Sequence, residues 1–167
     1  MVLTKQELIA TLQNEVRILL HLITKVDRTQ LTYRPTKGQR STGELLRYLS
    51  MMGPALVRYA LAKEQDAEIW TAAERESESR NFEESVAAIA GQAELYRTLL
   101  APVPESAFRE EITNFDGTKV SRGLFLVLLV LGGCVAYRTQ LFLYLKASGR
   151  SQLSSSDLWD GADTPPG

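Results

Sequence analysis

Residues 121–149 read SRGLFLVLLVLGGCVAYRTQLFLYLKASG. From Gly123 to Tyr137 the stretch carries no charge, and only the Gly132–Gly133 pair weakens it as a helix. Those fifteen residues fall short of the roughly 20 that a bilayer-spanning helix needs. Arg122 and Arg138 bracket the run, so the expectation is the central helix of a packed core and no membrane segment. Leu126, Val130, Gly133, Tyr137, Leu141 and Tyr144 recur at helical spacing on one stripe. Ser121 suits an N-cap, Gly149 the residue after the last turn, and Lys146 the negative end of the helix dipole. Each mid-helix glycine costs roughly 1 kcal/mol relative to alanine. The pair therefore predicts a neighbouring helix in close approach, or a space kept open beside it. A helix apolar on nearly every side also demands cover on nearly every side.

Three more helices follow from the same periodicity. The first spans about 5–26, opened by a Thr4/Glu7 capping box, with Leu8, Leu12, Val16, Leu19, Ile23 and Val26 facing inward. Asn14, Arg17, His21 and Lys25 fall on its opposite face, which predicts a solvated His21. The second spans about 42–63 behind a Ser41/Glu44 box, and Pro54 inside it predicts a kink. The third spans about 82–100 behind Asn81/Glu84. Residues 27–40 read as a loop. Residues 64–80 read as a charged crossover with a short helix near Ala67–Arg75, anchored by Trp70. Residues 101–120 read as a second long connection with a turn at Asp116–Gly117, pinned by Phe108, Ile112 and Phe115. No segment reads as a strand. The fold class is therefore all-α: a four-helix bundle over 1–149 with long crossover connections, followed by a polar, mobile tail over 150–167.

Composition narrows the function. Net charge is −1 with acids and bases interspersed, which argues against a nucleic-acid binder. One cysteine permits no intrachain disulfide, and a cytoplasmic location is expected. One histidine excludes any site that needs two imidazoles from one chain.

Two segments carry a resemblance. RPTKGQRSTGELLRYLS, residues 34–50, resembles the start of the second helix in DinB-like (damage-inducible) four-helix bundles. There a Ser-x-Gly-Glu-Leu-Leu pattern leads to a histidine. YRTQLFLYLKASG, residues 137–149, resembles the end of that family's last helix. The resemblance covers about residues 5–149. It implies a divalent metal held by one histidine of the second helix and two of the last, four residues apart. Carried onto this chain, those positions are Tyr48, Gly133 and Tyr137. A phenol is a poor ligand at neutral pH and glycine offers no side chain. No metal and no other cofactor are expected.

What remains of such a cleft would be lined by Glu44, Tyr48, Met52, Cys134, Tyr137 and Arg138. These side chains would either bind a small polar molecule or satisfy one another in a closed core. Cys134 has no histidine nearby to activate it and reads as inert. Two functions are open. One is a non-catalytic small-molecule-binding or protein-interaction module, homodimeric through the apolar last helix and the Leu158–Trp159 tail. The other, implied by the resemblance, is a metal-independent relative of thiol-dependent transferases or hydrolases.

Overall fold

The computed structural model describes residues 3–163. Four long helices form a closed ring: α1 (Lys5–Ile23), α2 (Thr42–Leu61), α4 (Phe82–Leu100) and α5 (Arg122–Ala147). A shorter α3 (Glu68–Glu78) packs on α2. Around the ring the order is α1–α4–α2–α5, so α1 and α2 stand diagonally, as do α4 and α5. Each diagonal step needs a chain segment long enough to cross the end of the bundle, which is why the connections are long.

Local chemistry sets the helix starts. All three sequence-predicted capping boxes form in both directions: Thr4 with Glu7, Ser41 with Glu44, and Asn81 with Glu84. The Ser121 hydroxyl accepts from the Leu124 amide and opens α5. Each box satisfies two amide donors that the first helical turn cannot satisfy internally.

Pro54 sits within a continuous α2. Proline has no N–H, so the Ser50 carbonyl loses its helical partner. Arg80 replaces it, donating to Ser50 O at 3.2 Å and Ser50 Oγ at 2.9 Å. One residue earlier, the Gln92 amide of α4 donates to Leu49 O at 2.8 Å. Gln92 also accepts from the Tyr96 hydroxyl at 3.1 Å. That hydroxyl sits against Gly53, where any Cβ would collide with it. Position 53 must be glycine for α2 and α4 to meet this closely.

Four expectations about the fold are corrected. The connection after α4 contains strands β1 (Glu111–Thr113) and β2 (Lys119–Ser121), paired antiparallel with Ile112 opposite Val120. Gly117, at φ +82°, turns the hairpin. Strands of three residues are too short to show an alternating pattern in sequence.

The polar segment after α5 is packed against the bundle instead of free; residues 164–167 lie outside the described residues. It uses the face of α1 that sequence alone reads as solvated. Arg17 donates to Asp160 O at 2.8 Å and Gly161 O at 3.3 Å. Arg150 donates to Lys25 O at 2.9 Å, and Lys146 to Leu153 O at 2.9 Å. His21 Nε2 lies 2.9 Å from Asp157 Oδ1, so His21 is largely covered. Polar side chains on α1 here serve as donors to a peptide chain that needs acceptors satisfied.

The third correction concerns Arg138. It is 2% exposed and turns to α1, with Nε 2.6 Å from Glu15 Oε2 and Nη2 3.3 Å from Oε1. Its remaining amino group donates to Leu158 O. This pair ties α1, α5 and the C-terminal segment together.

α5 is also not covered on all sides. Leu124, Leu128 and Leu143 are exposed on one face, Leu128 at 59%. By length and composition α5 is apolar enough to cross a membrane, and 28% of its most apolar window is buried. It packs against α1 and α2 and carries the Glu15–Arg138 pair.

Removing one partner of a buried pair leaves the other charge uncompensated. Glu15→Ala is expected to lower stability by about 3–5 kcal/mol in urea unfolding. The double change Glu15→Leu with Arg138→Met should recover most of that loss. A Glu15→Ala effect below about 0.5 kcal/mol would contradict this account of the pair.

Candidate functional site

A cleft of about 520 Å3 opens between α2, α3, the tip of the hairpin and α5. α2 contributes Tyr48, Met52 and Leu56, which follow one another at i, i+4 and i+8 on a single face. α5 contributes Leu128, Gly132, Gly133, Ala136 and Tyr137. Trp70 from α3 and Phe115 from the hairpin complete the walls. Every one of these residues is uncharged.

The aromatic residues are locked in crossed pairs. Tyr48 and Tyr137 lie 4.7 Å apart between ring centres at 64°. Tyr48 meets Trp70 at 6.0 Å, and Trp70 meets Phe115 at 6.2 Å. Phe115 also stacks on Tyr59 at 4.4 Å, which holds the hairpin tip against the bundle. The Arg40 guanidinium sits over the Tyr48 ring at 3.9 Å, where the negative face of the ring attracts it. Burial, with the adjoining Tyr137 hydroxyl, raises the Tyr48 phenol above its usual value; Arg40 opposes that shift only in part.

The floor is set by Gly133. A Cβ there would lie 3.1 Å from Met52 Sδ and 3.3 Å from its methyl carbon. The missing side chain on α5 is thus the space that Met52 enters from α2. Just above, Leu126–Leu131 winds as a π-helical turn, and the Gly132 amide bonds to Val127 O five residues back. A π turn widens the helix by one residue per turn and occurs often beside functional clefts.

The six site residues expected from sequence do not stay together. Tyr48, Met52 and Tyr137 line the cleft. Glu44 does not: it closes the capping box at the start of α2, bonds the Ser41 amide at 2.6 Å and pairs with Arg34 at 3.1 Å. Those contacts, the Ser41 amide first, hold its carboxyl below the usual range. Arg138 points the other way, at Glu15. Cys134 is half-buried against the core, beside the Tyr96 hydroxyl, and desolvation pushes its thiol up to about 12.

Trp70 and Phe115 join the cleft unforeseen. The sequence places both as isolated aromatics in polar connections, which marks anchoring but not what they anchor to. Elsewhere, ligand atoms of His21, Asp157 and Asp163 lie within 4.8 Å of one another. The Lys25 ammonium already pairs with Asp163 there, and the group acts as an ion-pair latch for the C-terminal segment.

No protein-family model matches the sequence, and no curated protein matches it. Among solved structures, the chain is similar to a DinB-like protein, YjoA, from Bacillus subtilis. The TM-score is 0.70 at 16% identity, covering 89% of this chain and 95% of that one. This is a DinB-like fold.

The resemblance read from the sequence implies a metal in this fold, at positions that here are Tyr48, Gly133 and Tyr137. The structure brings all three to one cleft. The donor set does not fit a divalent ion. One position has no side chain, its space is taken by a Met52 thioether, and the Tyr48 phenol is held protonated well beyond neutral pH. Among the described residues lining the cleft there is no carboxylate, imidazole or thiol.

The placement of Cys134 gives a direct check. A thiol raised from 9.0 to about 12 has, at pH 8, on the order of a thousandfold less thiolate. Native protein is expected to give no colour with Ellman's reagent over an hour. Protein in 6 M guanidinium should give one equivalent at once. Rapid reaction of the native thiol would contradict the raised thiol.

Proposed function

We propose that this chain is a non-catalytic small-molecule-binding module built on a DinB-like bundle whose metal triad has been replaced. The observation that supports it most is the content of the cleft. At the three positions where the resemblance implies imidazoles, two phenols and a glycine face an uncharged cavity. The only histidine, His21, is held by Asp157 at the C-terminal segment. Nothing lining the cleft is suited to activate water or a thiol. The cavity volume lies within the range of ordinary ligand pockets. With Glu44 and Arg138 directed elsewhere, the small polar ligand that the sequence left as one alternative gives way to a largely apolar one.

The proposal has a constructive test. Tyr48→His, Gly133→His and Tyr137→His together should create a zinc or nickel site. Met52 is the side chain that must move, and its contacts to the new residue come from the flexible end of that side chain. We expect the triple variant to bind one equivalent of zinc at micromolar affinity or better by calorimetry, and the parent protein none. Parent protein that retains one equivalent of zinc or nickel after dialysis would refute the proposal. A triple variant that folds but gains no affinity would show that the three positions do not correspond to a metal set.

The same proposal includes assembly as a homodimer in a reducing cytoplasm. Leu124, Leu128, Gly132, Ala136 and Leu143 form an uncharged face on α5 with small residues at its centre, and Leu128, Gly132 and Ala136 also form one wall of the cleft. Such a face pairs well with a copy of itself, since small residues let two helices approach closely. Sedimentation should give twice the chain mass of 18.6 kDa, and Leu143→Glu, a change outside the cleft, should give the single chain. A parent protein that sediments as one chain at micromolar concentration would count against the dimer.

A further inference from the structure

We infer that the cleft selects a neutral, planar aromatic molecule bearing one hydrogen-bond-accepting oxygen, such as an aryl ketone, ester or amide. This rests on the reading of the cleft as a ligand site and goes further by naming what the site can tell apart.

The walls argue for the planar aromatic part. Tyr48, Trp70, Phe115 and Tyr137 meet one another at steep angles, 64° to 73°. Rings crossed in this way do not stack on each other, so ring faces remain for a flat guest to use. Met52 supplies a polarisable thioether at the floor, which also pairs well with an aromatic edge or face. Fully aliphatic ligands would gain burial here but not these contacts.

The charge balance argues for neutrality. A carboxylate entering this cleft would lose its hydration and meet no lining cation, a costly transfer. An ammonium would be drawn to the ring faces, yet Arg40 already holds a face of Tyr48 at 3.9 Å and repels a second cation.

The two phenols argue for the acceptor. They are the only hydroxyl groups among the residues lining the cleft, and their rings meet at 4.7 Å. A phenol O–H is a hydrogen-bond donor, and no carboxylate or amide side chain lines the cleft to take it. A ligand with an acceptor thus gains a bond that an isosteric hydrocarbon cannot make.

The test uses three small probes of one shape: acetophenone, α-methylstyrene and benzoate. Each is titrated into nitrogen-15-labelled full-length protein, and the Gly132 and Gly133 amides report binding at the cleft. Acetophenone is expected to bind at least about fivefold more tightly than α-methylstyrene, the gain of one neutral hydrogen bond, and about tenfold more tightly than benzoate. In the Tyr48→Phe, Tyr137→Phe double variant, the preference for acetophenone over α-methylstyrene should fall within twofold. Those substitutions keep the ring volume, and circular dichroism checks that the bundle is intact.

Two failures are distinguishable. If α-methylstyrene or benzoate binds as tightly as acetophenone, or the double variant keeps the preference, the ligand class is wrong while the site stands. If no probe shifts the two glycine amides at millimolar concentration, the cleft is not a ligand site and the functional reading fails with it.

Discussion

The architecture depends on one buried contact, the pairing of Arg138 with Glu15. Successive residues on a helix point about 100° apart. Once Arg138 is fixed toward α1, its neighbour Tyr137 is turned toward α2 and Tyr48. Residues on the remaining side, Leu124 and Leu143 among them, are left facing outward. The rotation of α5, the composition of the cleft and the bare face beside it are consequences of a charge pair on the far side of the helix. The same guanidinium takes the Leu158 carbonyl, so the C-terminal segment closes over the pair and keeps water from it.

The amino-acid sequence makes the helical skeleton legible and the side-chain destinations much less so. Helix starts are local events. Thr4, Ser41 and Asn81 each meet an acid three residues on, and each box forms as the spacing implies. Where a side chain goes after that depends on partners far away in the chain. Arg138 looks like a cleft residue because it adjoins Tyr137. Its partner, Glu15, lies between Leu12 and Leu19 on the apolar stripe of α1, and an acid on that stripe needs a buried cation. That is a usable signal, but it names a need and not the residue that meets it. His21 and Arg17 show the converse: a polar face identical in pattern to a solvated one is covered by a peptide segment whose composition suggests mobility. The short hairpin escapes for a simpler reason, since three-residue strands have no periodicity to detect.

The cleft inherits its shape from two economies of space. On α2, Gly53 lets the Tyr96 hydroxyl lie against the backbone, and Pro54 removes a helical bond that Arg80 then replaces from outside the helix. On α5, Gly133 lets Met52 reach across. Both allow α2 to sit close to its neighbours at mid-height. The hollow is therefore displaced toward α3 and the hairpin, where Trp70 and Phe115 define it. Its apolar character follows: no charged residue lines it, Glu44 and Arg138 are engaged with Arg34 and Glu15, and Arg40 rests on the Tyr48 ring.

The π-helical turn at Leu126–Leu131 has a consequence for how such a chain can change over generations. A turn of this kind holds one residue more than the regular coil around it, so it marks a site where chain length itself is adjustable. Loss of a single codon within it would restore ordinary winding while leaving Tyr137, Arg138 and everything beyond in register. Most core helices punish any such deletion by rotating all that follows. Here the widened turn gives the lineage a reversible way to tighten or loosen one wall of the hollow without disturbing the far anchor.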